Sequence, residues 1–125
     1  MKIYVFGNPL VKKDSLAVKL SKKLKKVFPQ IDFVEFDVVE DLKEENLVIM
    51  DVAEGIEKVE IIEDLDLLEN RKIYSLHDYD LSYELKLLKK IGKIKNVKII
   101  AIPFNLNEEE ALKQVINYIH LIFKK

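Results

Sequence analysis

The sequence contains no cysteine and no tryptophan, only three glycines and three prolines, and almost no net charge. Without cysteine there is no disulfide framework, no thiolate zinc site and no thiol nucleophile, which removes several enzyme classes. The glycines stand apart at Gly7, Gly55 and Gly92, so neither common glycine-rich phosphate loop is present and nucleotide binding loses its usual cradle. The 21 basic and 22 acidic side chains nearly cancel, leaving no overall field to draw the molecule to nucleic acid or to an anionic membrane. No apolar run approaches the roughly 18 residues of a membrane span, and the amino terminus carries no basic region followed by a cleavage site. A soluble cytoplasmic protein is expected, with neither nucleic acid nor membrane as partner.

What is present fits one domain covering residues 1–125, long enough to bury a single core. The abundance of Lys, Glu and Ile, with Gln30 and Gln114 as the two glutamines, leans towards a heat-adapted source. Charge is segregated along the chain. Residues 12–26 hold seven lysines against the single acid Asp14, whereas residues 35–69 are rich in Asp and Glu. Opposite charges on separate solvated faces, or a docking surface, both follow from that pattern.

The most informative stretch is Leu47-Val48-Ile49-Met50-Asp51, four apolar residues closed by a carboxylate. A run without polar alternation suits an interior parallel strand covered on both faces, and its carboxyl edge is where ligands collect in open α/β sheets. Lys2 to Phe6 reads as the first strand, stopped by Gly7-Asn8-Pro9. Leu16, Leu20, Leu24 and Val27 recur at helical spacing up to Pro29. Ile31 to Asp37 is a second strand, and Asp41 to Glu45 a short helical or turn link. Ile56 to Ile62 alternates imperfectly, as a half-wet edge strand does, and its short connection predicts that it runs antiparallel to its predecessor. Arg71 to Leu76 is a short extended segment, followed by a helix from about Leu81 to Ile91. Val97 to Ile102 is the last strand, and a helix from Asn107 carries capping-box spacing to Glu110. The predicted architecture is α/β: three layers, helix-sheet-helix, around a mostly parallel five-stranded sheet with one antiparallel edge strand.

Among residues able to carry chemistry, Ser15, Ser75 and Ser82 lie in no nucleophile-elbow motif. Asp14, Asp51 and His77 remain, each beside the end of an element. Each also has a plain reading: Asp14 as a helix cap, Asp51 as the start of a turn, His77 as a surface residue. All three could converge at one edge of the sheet.

The chain resembles the hydrogenase maturation proteases, endopeptidases that trim the large subunit of nickel-iron hydrogenases. The likeness is carried by Phe6-Gly7-Asn8-Pro9-Leu10 with Asp14 and Val18, by Val34-Glu35-Phe36-Asp37, by Leu47 to Asp51, and by Ser75-Leu76-His77 with the helix after Asp80. It extends to Ala101-Ile102-Pro103 and the last helix. The resemblance implies a metal-dependent peptidase with Asp14, Asp51 and His77 as metal ligands and catalytic residues, and Gly7, Asn8 and Asp37 meeting the substrate. It implies a hydrogenase large-subunit precursor as partner of a monomeric enzyme, and a divalent metal, nickel, brought by that precursor as recognition tag. Lys13 replaces the first acid of the family's acidic pair, and Asp37-Val38-Val39-Glu40 replaces its DGGT-like loop. Two other readings are a paralogue that binds a hydrogenase subunit or metal without cutting, and a plain α/β interaction module.

Overall fold

The computed structural model describes residues 1–6, 15–36, 42, 44–75 and 81–123. Its elements run β1 (Lys2–Phe6), α1 (Ser15–Val27), β2 (Asp32–Phe36), β3 (Asn46–Glu54), β4 (Glu60–Ile62), α2 (Asp66–Asn70), β5 (Tyr74–Ser75), α3 (Leu81–Lys90), β6 (Asn96–Pro103) and α4 (Glu108–Ile122). The principal strand order is β2-β1-β3-β6-β4, with β5 added to β3. β1, β2, β3 and β6 are parallel, and β4 is the antiparallel edge strand on β6. This is the predicted mostly parallel α/β sheet between helices. Among the described residues no helix is long and apolar enough to cross a membrane.

Alternation along the strands divides the core into two halves. Tyr4, Phe6, Ile49, Ala53, Ile99 and Ala101 turn to the side covered by Leu65 and Leu68 and by Leu85 of α3. Ile3, Val5, Met50, Val52, Ile100 and Ile102 turn to the other side, where Leu20 and Leu24 of α1 and Val115 and Ile119 of α4 cover them. β3 and β6 meet helices on both faces, which is why their sequences are unbroken apolar runs.

Helix ends follow local chemistry. Phe28 precedes Pro29, which disfavours further helix, and α1 stops at Val27 with Lys25 and Lys26 in its last turn, favourable to the helix dipole. At α4 the Asn107 side chain accepts from the amides of Glu109 (2.9 Å) and Glu110 (3.3 Å). The Glu110 carboxylate accepts instead from Gln114, at 3.2 Å.

Three details depart from the sequence reading. β3 does not end at Asp51 but continues to Glu54. The segment 56–62 becomes strand only at Glu60–Ile62; it runs antiparallel to β3 as expected, but it lies against β6, which is parallel to β3. The reason is that β3 is already flanked by β1 and β6, so the reversing chain reaches the free edge of β6. Val59 is anchored on the way, its amide donating to the Gln114 side chain at 2.8 Å. The turn out of β3 uses Gly55 at φ +96, where a Cβ would lie 2.3 Å from the Lys72 carbonyl oxygen. The short helix α2 had no periodic signature in the sequence. Of the expected link at 41–45, Leu42, Glu44 and Glu45 are described and are not helical.

Candidate functional site

Asp51 is 3% exposed, a carboxylate inside the sheet rather than at its rim. By strand alternation it shares a face with Ile49 and Ala53, the α3 side. Its register partner on β6 is Ala101. Ala53 and Ala101 are both buried, so the carboxylate has a methyl group two residues along its own strand and another opposite on β6. These two alanines, which interrupt otherwise bulky runs, are a signal the sequence reading passed over.

The pairing of β3 changes partner at Asp51. On one edge it pairs with β6 from Asn46 to Ala53. On the other, β1 pairs with Ile49 and Met50, and β5 pairs antiparallel with Ala53 and Glu54. Asp51 and Val52 fall between the two. Phe6 ends β1 and Ser75 ends β5, so the described residues bordering this gap are those that segments 7–14 and 76–80 follow in sequence. A change of partner along an inner strand cannot be read from periodicity, because a two-residue strand such as β5 has too few side chains to show a period.

Of the sequence-predicted site residues, Asp51 is described, whereas Asp14, His77, Gly7, Asn8 and Asp37 lie outside the described residues. The connectivity around them is nevertheless defined. Asp14 immediately precedes α1, and residues 7–14 join the carboxyl end of β1 to its amino end; His77 falls between β5 and α3. The other histidine, His120, packs its ring on Phe28 at 5.1 Å. Phe28 follows α1 and lies towards the amino edge of the sheet, so His120 is remote from the carboxyl edge near Asp51. Among the described residues no group of three His, Cys, Asp or Glu side chains could hold a metal.

The neighbourhood on the β1 side is aromatic. Phe6 and Phe36 stack with centroids 4.8 Å apart, and Tyr4 meets Phe36 edge-on at 6.0 Å. The Tyr4 hydroxyl donates to Glu44 at 2.6 Å, and that hydrogen bond, with Lys2, holds the Glu44 carboxyl below its ordinary pKa.

The fold and this carboxylate define a three-layer α/β protein with an acidic residue set in the strand gap of its sheet. No family model matches the chain, and no curated protein matches it in sequence. Solved structures do resemble it. A crystal structure of the hydrogenase 3 maturation protease matches with a TM-score of 0.61 and 20% identity, covering 94% of this chain and 87% of the other. The solution structure of an endopeptidase HycI from Escherichia coli matches with a TM-score of 0.58 and 19% identity, over the same shares. At this identity the likeness shows a shared fold.

Proposed function

We propose that the chain is an endopeptidase that removes the carboxyl-terminal extension of a nickel-iron hydrogenase large-subunit precursor, with nickel carried by the precursor as the tag it recognises. The observation that carries this reading is Asp51: a carboxylate 3% exposed, at the point where β3 changes partners. The fold shared with two maturation proteases supports it.

Asp51, with Asp14 and His77, is the set assigned to hold the precursor's nickel. Two carboxylates balance a divalent charge, and three ligands leave positions open. When bound, such an ion supplies charge for recognition and polarises the scissile carbonyl or activates water. The chain's own part is positional: Asp51 is held by an inner strand, next to the end of β1 where Phe6 stacks on Phe36. Gly7, Asn8 and Asp37 are assigned to the substrate side.

The test is to incubate the protein with its own source's precursor, with and without nickel, and to follow the mass of the carboxyl-terminal fragment. Cleavage is expected for nickel-loaded precursor and not for unrelated proteins, and Asp51→Asn should abolish it. Cleavage of nickel-free precursor, or full cleavage by Asp51→Asn, would refute the tag mechanism. Binding of the precursor without any cleavage would favour a non-cutting paralogue, the reading to which the stiff Val38-Val39 pair in place of glycines points.

A further inference from the structure

β2 is one edge of the sheet: β1 pairs with it on one side, and among the described residues no strand pairs with it on the other. The Asp32 amide donates to the Met1 carbonyl at 2.9 Å. That bond sets the ladder, because in a parallel pair a residue turns both its main-chain groups the same way. Asp32, Val34 and Phe36 face β1, and Phe33 and Glu35 present their N–H and C=O groups outwards. At the amino end of this edge the Ile31 carbonyl accepts from Lys25 Nζ at 3.0 Å, so the open part of the ladder is Phe33 and Glu35.

Beside it runs a groove of about 700 Å³, lined in part by Ser21, Lys22, Lys25, Phe33 and Glu35. Phe33 supplies an apolar floor, and α1 supplies Lys22 and Lys25 along one wall, with the Glu35 carboxylate also in the lining. Asp32, also in the lining, already faces Lys25 at 3.7 Å.

We propose that this edge takes up an extended acidic peptide as an added strand, its main chain bonded to Phe33 and Glu35 and its carboxylates met by Lys22 and Lys25 of α1. A second copy of this chain is the weaker occupant, because twofold pairing of β2 with β2 would bring two lysine-rich α1 helices side by side. The surface lies on the outer edge of β2, with β1 between it and the strand bearing Asp51.

The probe is a fluorescein-labelled six-residue peptide alternating Glu and Val, compared with one alternating Lys and Val, followed by anisotropy and by amide chemical shifts. Saturable binding of the acidic peptide is expected, with the largest shifts at Phe33 and Glu35. Glu35→Pro removes an outward N–H without touching the ladder to β1, as edge strands tolerate, and should weaken binding about tenfold or more, the equivalent of one good hydrogen bond and its register. Lys22→Glu, an exposed change independent of the strand, should also weaken it and flatten its salt dependence. Equal binding by wild type and Glu35→Pro, equal binding of the basic peptide, or no saturable binding up to about millimolar would overturn the proposal. So would a sedimenting dimer that Glu35→Pro dissociates.

Discussion

Two residues locate the consequences of the β3 geometry. Asp51 is buried in a strand, where ionised carboxylates are expensive. A residue kept for binding rather than for stability should be replaceable at no structural cost. Asp51→Asn keeps the shape and removes the charge, and is therefore expected to lose cleavage while still unfolding cooperatively in a thermal scan. A loss of more than about 2 kcal/mol would mark Asp51 instead as a structural anchor. Gly55 behaves oppositely. Its positive φ, and a Lys72 carbonyl oxygen 2.3 Å from where a Cβ would sit, leave no room for alanine. Gly55→Ala should therefore cost about 2 kcal/mol or more, combining left-handed strain with a backbone clash. Urea denaturation of the two variants side by side separates these expectations.

Among the elements, the ends of α4 and β4 are held by identifiable side chains. Asn107 satisfies two amides of the first turn of α4, and Asn107→Ala should destabilise by about 1 kcal/mol, with Asn107→Asp retaining most of the stability. β4 is tied to α2 by a bidentate pair, Arg71 Nη1 and Nη2 to Glu60 at 2.7 and 2.8 Å. The hydrogen bond from Arg71 draws the Glu60 carboxyl below its ordinary pKa. A depressed carboxyl contributes stability that is present above its unfolded-state pKa and is lost as the pH falls through the folded one. Thermal midpoints of wild type should accordingly drop as the pH falls below about 4. In Glu60→Gln that part of the acid loss should be missing and the midpoint near neutrality lower. Parallel profiles for the two proteins would show that the pair contributes nothing measurable, as exposed pairs often do.

For the molecule as a whole, the proposed metal set spans three connections: residues 7–14 before α1, β3 itself, and the segment between β5 and α3. Such a set assembles only when the sheet is formed, so metal binding should report on the folded state. Calorimetry with nickel or zinc is expected to show one weak site in wild type and none in His77→Ala. Affinity should fall as the pH drops from about 6 to 4, as protons compete first for the imidazole and then for the carboxylates. Undiminished binding by His77→Ala would remove the metal reading for this chain.

What the sequence determined was the local order. Unbroken apolar runs at β3 and β6 declared strands buried on both faces, lysine-spaced leucines declared α1, and Asn107 with three glutamates declared the start of α4. These are contacts between near neighbours or with a generic apolar layer, so composition and period suffice to predict them. Asp51 could be singled out as a carboxylate closing an apolar run, but its setting could not. Only the tertiary structure decided that β3 runs on to Glu54, that β4 lies against β6, and that a two-residue β5 takes over from β1 beside Asp51. Strand neighbours are chosen by which edges remain free once the sheet has formed, and that competition among distant segments leaves no periodic trace in any one of them.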